Sequence, residues 1–496
     1  MGEGKQRAMA IATAFRSRPG RVAALIALML CTTASAAAQA TATDVRFTLH
    51  DESGQLIGQQ SERTGATAGG QEILRQGESA FTVSGHDATE IDELWRLALD
   101  ADGAPQRWQW RRRVNGKLLS VELDRDGALL KGQVTNDGRR HPVAAAMPAL
   151  PIGDPEALEP LLDEPAGPKS WSIAEFDPIR LQFRAVEMRV APRGGTEHGY
   201  VLTSALGGRL QSVRWLSYED GKLVEAKQPL LGSSRSWRRD DGPPESEKLL
   251  SRGRIVAHEQ HKPGVHITQR AAMAQIRYAF GGFADIPFAF PETGEQRARR
   301  EGDGWQVDIC SDCGPNAAPT AEEAARWTLP TSWVQSDDAA FRDKAAQARR
   351  IAQTDEAVMI RLGATARARL PRIEFEGYLS ARTAWRRHAG DCTEDALVLA
   401  ALGRAAGIPA RVVHGLVFSP GRYHGASNAY MPHSWVIAFV DGRWKSFDIS
   451  LNGFDATHIA LSLSDGEPEA MVEARQVAAL LEWRAISEVR KRPDDP

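Results

Sequence analysis

The chain has 496 residues, 42% of them hydrophobic and 25% charged, with a formal net charge of −3. That length accommodates two to four packed domains, and the balance is that of a globular protein rather than a disordered one. No basic cluster marks a nucleic-acid face, and short runs such as Arg111-Arg112-Arg113 and Arg386-Arg387 read as solvated surface.

The first forty residues read as a secretory leader. Lys5, Arg7, Arg16, Arg18 and Arg21 form a basic start, and residues 22–30 form an apolar core too short to span a bilayer. Ala38-Gln39-Ala40 offers a small-x-small cleavage site that leaves Thr41 as the mature start. A lipidated Cys31 is the weaker reading, because Leu30 stands where a lipoprotein signal needs a small residue; an uncleaved anchor is the other. Cleavage removes five basic residues and one acid, taking the formal charge from −3 to −7. The expected product is periplasmic or secreted, with no integral membrane segment. Of its three cysteines, Cys310 and Cys313 are the natural disulfide in an oxidising compartment, which leaves Cys392 as an unpaired thiol.

From residue 41 to 245 short alternating stretches are punctuated by turn residues. Residues 107–114 and 117–123 flank Asn115-Gly116, a strong hairpin signal, and further strands are expected around 179–189, 199–203 and 212–218. This region reads as an antiparallel all-β meander or barrel of unassigned role, interrupted by a Pro-rich linker at 142–168 and closed by a polar divide at 232–248. Residues 246–316 then form a small β unit, with strands at 254–257, 265–268, 275–280 and 305–309, that carries Cys310 and Cys313. The pair lacks the second half of a zinc site, and Gly314-Pro315 is a poor helix start for a redox motif. From 317 to 481 the pattern turns helical, with helices at 337–362 and 379–387 and strands from Arg411 onward, so an α+β domain is expected there. Residues 482–496 read as a polar tail.

The chemistry concentrates in Gly390-Asp391-Cys392-Thr393-Glu394. Asp391 is a good N-cap and Glu394, three residues on, completes a capping box, so Cys392 opens a helix. The run Ala396-Leu397-Val398-Leu399-Ala400-Ala401-Leu402 is apolar on every side, as a buried helix requires. A helix terminus stabilises a thiolate by about 0.3–1 kcal/mol, at best about 2. Lowering a thiol by two pKa units needs roughly 2.7 kcal/mol. A basic partner is therefore required, and His388, His414, His424, His433 and His458 are the nearby imidazoles. Asp441-Gly442 joins two strands in a two-residue hairpin that pairs Val440 with Arg443. Trp435 then faces Asp448, and His433, two residues from Trp435, shares their face. This geometry selects His433 and Asp448 as partners for Cys392: nucleophile, general base and acid, and the acid that fixes the imidazole.

The words Gly390-Asp391-Cys392-Thr393-Glu394, Gly407-Ile408-Pro409-Ala410-Arg411, His433-Ser434-Trp435-Val436 and Asp441-Gly442-Arg443-Trp444, followed by Asp448, resemble the transglutaminase-like superfamily. The resemblance covers about a third of the chain. It implies a papain-like α+β core with Cys392, His433 and Asp448 in the family's catalytic positions. It also implies acyl transfer on peptide or protein amide bonds, cell-wall peptides included, without a cofactor or metal. Trp333 and Trp385 are the candidates for the tryptophan that assists the oxyanion hole in the family's eukaryotic enzymes. Two other functions compete: a non-catalytic binding or assembly module on the same scaffold, and a thiol-redox protein using Cys310 and Cys313.

Overall fold

The computed structural model describes residues 42–82, 88–136, 138–196, 198–242, 260–283, 285–313, 317–371, 378–421, 427–451 and 453–489. The expected leader at 1–40 and the expected strand at 254–257 lie outside the described residues.

The first part is an all-β region in which every chain neighbour is antiparallel. β1 (Thr43–Asp51), β2 (Leu56–Thr67), β3 (Gly70–Thr82), β4 (Ala88–Asp100), β5 (Pro105–Val114), β6 (Lys117–Asp126), β7 (Leu129–Asn136) and β8 (Arg139–Ala146) form one meander. β9 (Lys169–Asp177), β10 (Gln182–Pro192), β11 (Gly199–Leu206), β12 (Arg209–Glu219), β13 (Lys222–Leu230) and β14 (Ser233–Arg239) form a second. β14 pairs with β1, so the two meanders make a single 14-stranded sheet with β8 and β9 at its ends. Alternation drives it: β1 buries Val45, Phe47 and Leu49, every second residue. Asn115 and Gly116 turn at φ 49° and 82°, as a two-residue hairpin requires. The sheet curls until its ends share a core, with Trp108 of β5 packed on Phe176 of β9 and Phe183 of β10 at 5.5 and 6.0 Å.

Two sequence expectations fail here. Residues 142–168 are not a free linker. Pro142 belongs to β8, Ile152 bridges Ala174 of β9, and Leu158 and Leu161 are buried. Buried Glu62 explains the order, since its carboxylate accepts the backbone N–H groups of Leu158 at 2.9 Å and Glu159 at 2.6 Å. The polar divide is likewise strand over its first part, where Ser234, Ser236 and Trp237 of β14 are buried.

The second part is mixed α and β. α1 (Gln269–Ala272) precedes β15 (Gln275–Gly281), β16 (Gln296–Glu301) and β17 (Gly304–Cys310). The strand expected at 265–268 is absent because Thr268 caps α1, accepting from the Ala271 N–H at 3.1 Å. Next come α2 (Ala321–Arg326), α3 (Ala339–Ile351), α4 (Asp355–Arg369), α5 (Ala381–Arg387) and α6 (Cys392–Ala405). The single helix expected at 337–362 is α3 and α4, split where Ala352 turns extended and Thr354 caps α4. β18 (Ala410–Ser419), β19 (Ala429–Val440), β20 (Arg443–Phe447) and β21 (Ile459–Ser464) form an antiparallel sheet ordered β20-β19-β18-β21. α6 shares a core with it, in which Leu397, Leu399 and Ala400 lie together with Val412, Val436 and Ala438. α7 (Pro468–Leu480) and β22 (Glu482–Glu488) follow.

The stretch from Glu482 is no polar tail as far as Glu488, since β22 pairs with β15 and sets Trp483 against Phe280 at 4.9 Å. One core also joins the two parts. Val201 and Val213 of the large sheet pack with Tyr278, Phe280, Tyr430, Leu461 and Val477.

Candidate active site

α6 begins where the sequence places it. Asp391 caps the helix by accepting the Thr393 N–H at 2.7 Å, and Glu394 returns to the Asp391 N–H at 2.9 Å. Glu394 also accepts the Leu379 N–H at 2.8 Å, which ties the segment before α5 to the start of α6. Gly390 is small for a reason: a Cβ there would run into the Glu394 side chain. Cys392 is the free thiol among the described residues and is partly exposed at the first position of α6.

The electrostatics around that thiol differ from the expectation that the helix terminus favours a thiolate. Burial pushes the Cys392 thiol up and the Asp391 charge pushes it further. The Ser434 backbone N–H, donating to the sulfur, pulls the other way, while Asp448 and Asp395 add to the rise.

The hairpin register is as expected, with Val440 opposite Arg443 and Val436 opposite Phe447. Asp441 and Gly442 turn at φ 49° and 84°. His433 and Asp448 are both buried, and Nε2 of His433 hydrogen-bonds Asp448 Oδ2 at 3.0 Å. A carboxylate only accepts, so Nε2 carries the proton and Nδ1 is the nitrogen left for base chemistry. Asp448 is held from its other oxygen by the Ser450 and Leu451 N–H groups at 2.8 and 3.3 Å. Burial pushes the Asp448 carboxyl up, but His433 and His458 outweigh it and hold it well below the ordinary carboxylate range.

Of the other histidines, His458 is the one that sequence reasoning missed. Its Nε2 lies 3.2 Å from the same Asp448 oxygen, and its Nδ1 lies 3.2 Å from Asp455 Oδ1. Burial lowers the imidazole, but the hydrogen bonds to Asp448 and Asp455 prevail and raise it to about 9. An Asp-x-x-His spacing at 455–458 was the available signal, but nothing local ties it to Asp448. His414 is buried behind Ser434, with Nδ1 2.8 Å from its hydroxyl, and burial lowers it to about 3. His388 is an exposed left-handed cap of α5, and His424 lies outside the described residues. Asp395 accepts the Ser450 hydroxyl at 2.7 Å; burial, with Asp448 and Asp391, raises it to about 6.

His433, Asp448 and His458 offer ligand-type atoms that all lie within 4.8 Å of one another. A cation would suit them only if both imidazoles gave up their Nε2 protons, which the hydrogen bonds to Asp448 use. Of the two tryptophan candidates, Trp333 has its buried Nε1 without a hydrogen-bond partner among the described residues, whereas Trp385 packs on Phe341 at 5.3 Å.

Residues 343–449 match the transglutaminase-like superfamily. That segment is transglutaminase-like. It contains Cys392, His433 and Asp448, and His458 lies beyond it. A comparison with curated proteins gives no match. Among solved structures, the chain is similar to a proposed cysteine protease from Cytophaga hutchinsonii, at 13% identity and a TM-score of 0.27, over 44% of this chain and 84% of that one. A beta-barrel-like protein of unknown function from Brucella abortus is similar at 10% identity and a TM-score of 0.28, over 40% and 95%. A proposed protease from Parabacteroides distasonis gives 11% and 0.19, over 83% and 70%. The family assignment rests on the matched segment.

The transglutaminase-like domain is tied to the small β unit at the hairpin. Cys310 and Cys313 are joined in a disulfide with Cα atoms 5.5 Å apart. Between them Asp312 pairs with Arg443 at 2.6 Å, next to the β19–β20 turn. Glu295, also buried, accepts the Ser446 N–H at 2.8 Å and its hydroxyl at 2.5 Å from the adjoining sheet.

Proposed function

We propose that this chain is an exported cysteine enzyme that transfers acyl groups from peptide or protein amide bonds, including those of cell-wall peptides. Cys392 is the nucleophile, His433 the general base and acid, and Asp448 the group that orients His433. The observation that carries this reading is the 3.0 Å hydrogen bond between His433 and Asp448, made one residue from the N–H that Ser434 directs at the Cys392 sulfur.

In this mechanism His433 Nδ1 takes the thiol proton as the sulfur attacks the carbonyl carbon, so no free thiolate has to accumulate beside Asp391 and Asp395. The carbonyl electron pair moves to oxygen, where the Cys392 backbone N–H at the start of α6 is a natural donor. The intermediate collapses, the C–N bond breaks, and the amine leaves with the proton that His433 held. The resulting thioester is attacked by water, which gives up a proton to His433, and the thiol is regenerated. An amine in place of water gives transamidation.

The test is alkylation by iodoacetamide at neutral pH with mass mapping, together with trapping of the acyl-enzyme on a slowed variant. Rapid labelling at Cys392 that is lost in His433→Ala, and an acyl adduct on Cys392, are the expected results. A Cys392 that stays unlabelled in the folded chain sinks the proposal. That outcome would favour a non-catalytic module on the same scaffold, a reading to which the elevated thiol lends support. Export is supported by the 1–40 leader and by the Cys310–Cys313 disulfide. N-terminal sequencing of the secreted product should begin at Thr41.

A further inference from the structure

Asp448 Oδ2 accepts from two imidazoles, and only His433 is used by the mechanism above. The second, His458, stands immediately before β21 and is buried, with its ring centroid 5.7 Å from that of His433. Its approach is built into the sheet. His433 of β19 pairs with Gly415 of β18, which pairs with Ala460 of β21, so these three positions share a face. His458, two residues before Ala460, points to the same side, and no side chain intervenes at position 415. A Cβ at Gly415 would collide with the Ile459 carbonyl oxygen, so β21 can lie this close only beside glycine.

The rest of the His458 ring is held as firmly. Nδ1 lies 3.1 Å from the Asp455 carbonyl and 3.2 Å from its carboxylate. Asp455 is itself fixed by the Thr457 N–H at 2.9 Å and the Thr457 hydroxyl at 2.5 Å. Trp435 and Phe454 pack on the ring at 5.1 and 4.9 Å. The charged and titratable neighbours are Asp448, Asp455 and His433, with Glu295 acting from the adjoining sheet.

We infer that His458 is a positioning residue of the acyl-transfer site: its Nε2–H clamps the Asp448 oxygen that orients His433. This deepens the proposed function and rests on it. Asp448 can fix an imidazole only if its own carboxylate cannot rotate. Ser450 and Leu451 hold Oδ1, but among the described residues Oδ2 would otherwise be held by His433 alone, the group it is meant to steer. His458 supplies the independent hold. The chain of contacts runs Asp455, His458, Asp448, His433, and it ends one residue from the N–H that Ser434 gives to the sulfur.

The test uses the full chain and iodoacetamide at pH 7, with the second-order rate of Cys392 labelling as readout. In His458→Gln the amide nitrogen can occupy the Nε2 position and reach Asp448; in His458→Asn it can occupy only the Nδ1 position, toward Asp455. Labelling should slow about tenfold or more in His458→Asn, the size expected when a catalytic group loses its alignment. His458→Gln should stay within about threefold of the parent, and equal melting temperatures would set the two variants on the same footing. If both variants label like the parent, or if Gln is as slow as Asn, the positioning role is overturned. His433→Ala separates the two levels. If it labels like the parent, the proposed function itself falls; if it is slow while His458→Asn is not, only the present inference does.

Discussion

Asp391 acts on Cys392 in two opposing ways, and a single substitution separates them. Its carboxylate caps α6 through the Thr393 N–H, and its charge helps to keep the thiol protonated. Asn caps a helix about as well as Asp, but it carries no charge. Asp391→Asn should therefore leave the melting temperature within a few degrees and speed Cys392 alkylation at pH 7 several-fold; slower labelling would mean that the charge helps rather than hinders. Asp448→Asn should do the reverse. It retains the size, loses the charge that favours the imidazolium, and lets the amide present a donor to an Nε2 that needs an acceptor. A loss of about a hundredfold or more in acyl transfer is expected, by the logic of a mis-set tautomer. These residues were legible because each depends on local geometry: a capping box places Cys392, and a two-residue hairpin places Asp448 against His433. His458 was not legible, because its partner is reached across two strand neighbours and a missing side chain at Gly415, and strand order is not written in the local pattern.

At the scale of elements, hairpin signals were read correctly and connections were not. Asn115-Gly116 and Asp441-Gly442 have positive φ at both residues, a requirement set by the turn alone. Residues 142–168 look like a linker by composition, yet Glu62, about a hundred residues upstream in the chain, organises them through two backbone N–H groups. β22 was missed for the same reason, since Glu482, Arg484 and Glu488 give it a polar face that reads as tail. Only its pairing with β15 brings half-buried Trp483 against the core, stacked on His261 at 4.2 Å and set against Phe280 at 4.9 Å. Truncation after Leu481 should cost about 2–3 kcal/mol, below the scale of losing a fully buried Trp because Trp483 is half-buried, seen as a lower denaturation midpoint. A truncated chain as stable as the parent would mean that β22 adds nothing. The Cys310–Cys313 bridge should matter less, because closing so short a loop contributes about 2 kcal/mol at most. Mild reduction should lower the melting temperature by only a few degrees.

At the scale of the molecule, the buried ionisable groups set a direction for stability against pH. Burial above all raises Glu295 to about 7 and Glu394 to about 8, and the hydrogen bonds to Asp448 and Asp455 carry His458 to about 9 against its burial. A carboxyl raised in the folded state contributes stability that is complete below its unfolded value near 4.5 and is lost as pH climbs through the folded one. For Glu295, a shift from 4.5 to about 7 corresponds to about 3 kcal/mol. His458 follows the same sign in a later window: its contribution is complete below about 6.5 and disappears as pH rises through about 9. Asp448, Glu156 and Glu469 run the other way. Burial raises each, but histidine or arginine partners outweigh it, so their contribution is lost as pH falls below the ordinary carboxylate range. Glu469 matters for the whole molecule, because its partner Arg180 lies in the turn between β9 and β10, 2.7 Å away, and the pair fastens α7 to the large sheet. The melting temperature should therefore peak near pH 5 and decline from there to pH 9. Glu295→Gln should flatten the part below pH 7 and His458→Gln the part above it. A melting temperature that instead climbs steadily from pH 5 to 9 would show that Glu295 and Glu394 are ionised and His458 neutral in the folded chain, and the clamp on Asp448 would then have to work through a neutral imidazole.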